Sequence, residues 1–316
     1  MVTRFLLSLS ILVAFGAAAR ADPPPVRDWS KAIETVVVTA PKPGPLIWSA
    51  TKGNGTVYLI GLVEPLPKTL AWNDAGVRDA LSGAHELLLP ARASAGLFDM
   101  LWLLAWNSDA IYLPGGTTLE SLLPDDLRAR FVADREKLHR DADRYSGLRP
   151  PLAALRLEGD FMKDRDMTPE EPAETLGRLA ARLGVHSRPI ADYEAIPMLK
   201  QLPKLSKAAN EACVRAALDD IDALGAHAQA AADAWARGDL AGIEASYSEQ
   251  RFESCIQAVP TAAALFSRAV NDSTAAVLDA VNRPGKTVMA ISIGVLLRKD
   301  GLLDRLAAHG ITVSAR

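Results

Sequence analysis

Two apolar strand runs lie near opposite ends of the chain, VYLIGLV at residues 57–63 and GKTVMAISIG at 285–294. Short apolar runs bounded by turn residues read as buried strands. The sequence between them is mostly helix-like, with apolar positions at a period of 3.6. Strands at both ends with helices between predict one α/β domain. Its mixed sheet is formed by N- and C-terminal strands around a large helical middle region.

Local signals fill in that outline. LIWSATKGNGTVYLIGLV reads as a hairpin turning on Lys52, Gly53, Asn54 and Gly55, a composition suited to positive φ. Asn73 or Asp74 can cap a short helix with Val77 and Leu81 on one face, and residues 86–91 read as a buried strand. Helical insertions are predicted over about 94–183 and 206–257. The first has a cap at Thr117 or Thr118 and a stop at Gly184. SRPIADYE between them reads as a short strand, KDGLLDRLAAHG as a helix stopped by Gly310, and ITVSAR as a last strand. No element is assigned to residues 258–284, and no internal repeat of 20 to 50 residues is present.

The N-terminus has Arg4, an apolar run over 5–15 and Ala19-Arg20-Ala21. That pattern predicts a secretory signal over 1–21, cut before Asp22. The alternative, a membrane anchor, needs a longer run. The signal contains no Cys, which argues against a lipoprotein, and no later segment would anchor the cleaved chain. The expected location is periplasmic or secreted. Residues 22–45 are Pro-rich and read as an extended arm, leaving 46–316 as the domain. A net charge of -3 and 6% aromatic residues exclude a nucleic-acid footprint.

Cys213 and Cys255 are the only cysteines. In an oxidising compartment they read as a disulfide; the alternative is two buried thiols. A helical hairpin broken at Arg237-Gly238-Asp239 would leave them about eight residues, roughly 12 Å, out of alignment. A bridge therefore predicts a further break, placed at Gly225.

Generic catalytic motifs are missing: no G-x-S-x-G, no Walker loop, no G-x-G-x-x-G after a strand. The five histidines, His85, His139, His186, His227 and His309, form no H-E-x-x-H or H-x-H. His309 reads as a helix C-terminal cation and His85 as a solvated turn residue. The acid pairs Asp125-Asp126, Glu170-Glu171 and Asp219-Asp220 read as caps and solvated charge.

Five segments carry a resemblance: PLIWSATKGNGTVYLIGLVEPLP, DALSGAHELLLPA, TLESLLPDDLRARF, RPIADYEAIPMLKQL and VMAISIGVLLRKDGLLDRLAAHGITV. In order and spacing they resemble the TraB/GumN family, whose members include exported bacterial proteins and TIKI-type membrane-associated metalloproteases. The resemblance implies a G-x-x-H motif ending the first long strand, a carboxylate ending the next, and a second histidine after the C-terminal strand. Such ligands would suit a divalent metal with an open water position.

This chain departs at each place. Glu64 stands where the first histidine is expected, Pro90 where the carboxylate is expected, and Val295 where the second histidine is expected. Gly61, expected to make the turn at the strand exit, and Gly294 are retained as structural positions, and Glu194 in ADYEAI matches an L-E-T-like segment. Pro90 and Val295 offer no donor atom, and Glu64 alone would hold a hard cation weakly. The expectation is therefore no metal and no cofactor, and a degenerate member acting by binding an envelope protein, peptide or polysaccharide-related partner. The first alternative is a metal-dependent, peptidase-like hydrolase with a reorganised site at Glu64, with Glu194 as its second acid. The second is a TonB-linked envelope accessory, because IETVVVTAP at 33–41 is similar to a TonB box and could add as a strand to a partner. An extended linker is the plainer reading of that segment.

Overall fold

The computed structural model describes residues 44–168, 171–247, 255 and 260–315. The signal segment, the 33–41 segment and Glu170 lie outside the described residues.

The strands, in chain order, are β1 (Ile47–Lys52), β2 (Gly55–Leu62), β3 (Leu66–Pro67), β4 (Glu86–Leu89), β5 (Arg92–Ser94), β6 (Met167–Thr168), β7 (His186–Pro189), β8 (Asp192–Glu194), β9 (Gly285–Ser292) and β10 (Thr312–Ala315). The helices are α1 (Ala75–Leu81), α2 (Leu97–Trp106), α3 (Leu119–Leu122), α4 (Asp125–Lys137), α5 (Asp143–Ser146), α6 (Pro150–Asp164), α7 (Glu171–Arg182), α8 (Ile196–Leu199), α9 (Lys207–Arg237), α10 (Leu240–Ser246), α11 (Pro260–Val281), α12 (Ile293–Leu297) and α13 (Leu302–Ala308).

The main sheet has the order β10-β1-β2-β9-β4-β7. β1 is antiparallel to β10 and β2, whereas β2, β9, β4 and β7 run parallel. The two ends of the chain are thus interleaved, with β9 inserted between β2 and β4. β2 and β9 are buried over most of their length, as strands covered on both faces must be. The β1–β2 hairpin closes with Lys52 opposite Gly55. Gly53, at φ +58°, takes the first of the two turn positions, where a side chain would be strained.

The Thr118 cap is present, whereas at α1 the N-cap residue Asp74 makes no side-chain capping bond and Asn73, one residue earlier, supplies the side-chain acceptor. Asn73 Oδ1 accepts from the Ala75 amide at 2.9 Å, and Thr118 Oγ1 accepts from the Ser121 amide at 3.3 Å. The SRPIADYE segment forms two strands rather than one: β7 joins the main sheet and β8 pairs with β5. His85 is exposed, with Nε2 3.1 Å from the Pro284 carbonyl oxygen. Its ring stays at the surface, as read for a turn residue, and leans on the start of β9, where a Cβ on Gly285 would collide with Nε2.

Two hydrophobic cores result. One surrounds the sheet. The other lies among α3, α4, α5, α6 and the first half of α9. α9 has 31 residues, roughly 46 Å at 1.5 Å per residue, and belongs to both. Cys213, Val214 and Ile221 pack in the helical core, while Ala231, Ala232 and Trp235 pack against the sheet.

Cys213 and Cys255 are disulfide-bonded, with their Cα atoms 5.0 Å apart. The expected break at Gly225 is absent, because α9 runs through it unbroken to Gly238. Gly225 instead faces α6, where a Cβ would sit 3.5 Å from the Phe161 ring. On the return limb α10 ends at Ser246 and Tyr247 after it is extended; residues 248–254, which lead to Cys255, lie outside the described residues.

Candidate functional site

The carboxyl ends of β2, β9 and β4 lie at one edge of the sheet. Leu62 is opposite Ser292 and Leu88 is opposite Met289. Glu64 follows β2 by two residues, Pro90 follows β4 directly, and Val295 lies in α12 just past β9. The three positions therefore come from three neighbouring parallel strands at the same edge, where open α/β sheets generally place their ligands.

Gly61 does not make a turn at that edge. It lies inside β2, in register with Ile291 of β9. Its constraint is close packing: a Cβ there would be 3.1 Å from the Trp48 ring and 3.2 Å from Ile293. Its carbonyl accepts from Trp235 Nε1 at 2.7 Å, which ties α9 to the strand end. Trp72 meets the Trp235 ring edge-on at 5.3 Å. Gly294 is buried, and a Cβ on it would be 3.4 Å from the Tyr247 hydroxyl, so it leaves room for that ring.

Glu64 is half-buried and lines a crevice with Val63, Pro65, Leu224, His227 and Tyr247. The crevice encloses about 10 Å³, no more than one water needs. His227 is the residue that motif reasoning missed. It stands four and eight positions before Ala231 and Trp235, exposed at the border of the stripe of α9 that faces the sheet. Once Trp235 is known to reach Gly61, that spacing carries His227 to the strand end. Glu194 lies elsewhere. It is exposed on β8, paired with Ser94, and does not line the crevice.

These residues do not fit the metal that the family resemblance implies. Pro90 and Val295 have no side-chain donor, which leaves Glu64 with His227 as the donor-bearing side chains lining the crevice apart from Ser246 and Tyr247. Among the described residues, no three His, Cys, Asp or Glu side chains come together to hold an ion.

Buried charge is found instead in the helical core. Asp160 accepts from Arg144 Nε and Nη2, both at 2.5 Å, and from the Tyr145 hydroxyl at 2.6 Å. Burial opposes its ionisation, but these bonds outweigh it and hold the carboxyl below its usual range. Burial, reinforced by Asp160, pushes the Tyr145 hydroxyl up to about 12. Glu158 on α6 is 3% exposed and Asp220 on α9 is 2% exposed. Burial first, and the Asp220 charge second, push the Glu158 carboxyl up to about 7. The Asp219-Asp220 pair is therefore not solvated charge throughout. Asp219 meets Arg130 at 2.9 Å on the surface side, and Asp220 points into the helical core.

A mixed sheet with four parallel strands, a crevice at their carboxyl edge and a separate helical core define a mixed α/β protein built from both ends of its chain. The chain belongs to the TraB/PrgY/gumN family, which it matches over residues 46–315. No curated protein and no solved structure matches it significantly. Among the described residues, no helix is long and apolar enough to cross a membrane.

Proposed function

We propose that this TraB/PrgY/gumN-family protein is catalytically degenerate and acts, after export, by binding a partner in the cell envelope. The observation that carries the reading is the chemistry of one sheet edge. Three adjacent strand ends present Glu64, Pro90 and Val295, and two of those side chains can neither ligate a metal nor transfer a proton. The crevice beside Glu64 has room for about one water. The Cys213–Cys255 bridge supports an oxidising compartment, consistent with the signal read at 1–21. The partner class is an envelope protein, a peptide or a polysaccharide-related chain.

A second reading draws on the crevice that brings His227 to Glu64. A carboxylate and an imidazole facing one cavity are the groups that general acid–base hydrolysis uses. That reading keeps the protein a metal-dependent, peptidase-like hydrolase with a reorganised site.

Metal analysis of the purified protein separates the two. The binding reading expects less than stoichiometric zinc and manganese, and a melting temperature unchanged by adding either ion. One bound metal per chain, lost in Glu64→Ala, would establish the second reading and overturn the first.

A further inference from the structure

Helix α2, LFDMLWLLAW, lies on the outside of the molecule although nine of its ten residues are apolar. Leu103 is its one buried residue. Phe98, Leu97 and Trp106 are 85%, 73% and 72% exposed, and Leu101 and Trp102 are half exposed. With 3.6 residues per turn, the exposed side chains of Leu104, Leu97, Leu101, Phe98, Trp102 and Trp106 follow one another round about 200° of the helix. Asp99, its only charged residue, stands at the border of that arc.

The width of the arc decides what can cover it. A helix packed on a flat protein surface buries a stripe of roughly 100°. A second copy meeting α2 face to face would leave much of the arc in water. A fluid apolar phase wraps a half-immersed helix from both sides, as the acyl boundary of a bilayer does for an interfacial helix. Ten residues span roughly 15 Å, half of what a crossing needs, so α2 would lie in the membrane plane.

The surroundings match that placement. The Trp102 and Trp106 rings stack at 5.9 Å, and Trp side chains favour the headgroup level of a bilayer. Lys200 Nζ sits 5.1 Å over the Trp102 ring. Lys204 and Lys207 follow, both exposed, on the segment after α8, which packs against α2. Asp99 and Asp109 are the exposed acids of α2 and the turn that follows it. Glu194, two residues before α8, is a further exposed acid, and Lys207 meets Glu211 at 3.6 Å, so Lys200 over the Trp102 ring and the exposed Lys204 are the cations placed to meet an anionic headgroup layer.

We propose that α2 is an interfacial anchor that seats this protein on an anionic lipid bilayer. The test is co-sedimentation of the full chain with vesicles of phosphatidylethanolamine and phosphatidylglycerol, against vesicles of phosphatidylcholine alone. Tryptophan emission is read in parallel, with and without lipids brominated on the acyl chain. The protein should sediment with the anionic vesicles and less with the neutral ones. Its emission should shift to the blue and be quenched by the brominated lipid, a readout that needs no variant. Phe98→Ser with Trp106→Ser should weaken partitioning on the order of tenfold without lowering the melting temperature, since both side chains are exposed. Protein left in the supernatant, or unquenched emission, would overturn the proposal. So would binding that survives the double substitution, which would come from elsewhere in the chain, such as the apolar run at 5–15. A dimer that the same substitutions dissociate, with no vesicle binding, would make a second copy the occupant and overturn it equally.

Discussion

The sheet core and the helical core share α9 but place their charge oppositely. Around the sheet, Thr287 is the buried polar residue of the strands, and the strand ends present Glu64 at half burial beside Pro90 and Val295. In the helical region four acids are buried, Asp134, Glu158, Asp160 and Asp220. Burying a carboxylate is costly unless it is paired or neutralised, and both solutions are present. Asp160 is clamped by Arg144 and Tyr145, Asp134 meets Lys137 at 2.8 Å, and Glu158 is pushed toward its neutral form. The difference teaches that perturbed acids alone do not mark the site of family chemistry. Here they lie in the half that also holds the disulfide, and the edge where ligands are expected is chemically sparse.

The largest test of that contrast removes the disulfide. Replacing Cys213 and Cys255 by Ser together should lower unfolding stability by about 4 kcal/mol, the loop-entropy value for a separation of 42 residues. Denaturant unfolding under oxidising conditions measures it. A loss below about 1 kcal/mol would show that the helical core holds its buried acids without the bridge.

Next comes Glu158. An acid whose folded pKa lies above its unfolded value is kept neutral by the fold. Between about 4.5 and about 7 the unfolded chain releases this proton while the native state retains it. Stability therefore falls as pH rises through that window and is level above it. Glu158→Gln should remove this cost, gaining up to about 3 kcal/mol at pH 8 and almost nothing near pH 4. Unfolding curves at the two pH values check it. A variant destabilised equally at both would mean that the Glu158 carboxyl is ionised and paired, like Asp160, and would make the helical core uniform.

Much of the fold is legible in the residues because the signals are local. Lys-Gly-Asn-Gly between apolar runs closes the β1–β2 hairpin, Thr118 caps α3, and Gly238, at φ +69°, ends α9. Helix α11 is not legible, because Asn271, Asp272, Ser273 and Thr274 interrupt its apolar pattern. In the structure, Ser273 and Thr274 donate their hydroxyls to the carbonyls of Ala269 and Val270, at 2.7 and 2.8 Å, which satisfies them inside the helix. Gly225 reads as a breaker, yet the Phe161 ring packs over it and the helix continues. The burial of Asp220 depends on which side of α9 meets α6, and the helix pattern alone does not say. The candidate positions are legible one at a time from the resemblance. Their meeting at one edge depends on β9 entering between β2 and β4, a long-range pairing with no local signature.

The smallest expected effect concerns the one place where the edge could still be active. His227 is exposed, so His227→Ala should change stability by no more than about 0.5 kcal/mol. The sharper measurement is a double-mutant cycle with Glu64→Ala, read by denaturant unfolding. If the edge is chemically quiet, the two substitutions should add to within about 0.5 kcal/mol, although both residues line one crevice. A coupling above about 1 kcal/mol would mean that the carboxylate and the imidazole act on each other directly. That outcome would break the contrast between the two cores and shift the balance toward the hydrolase reading, since such a pair would be held together where the strand ends converge.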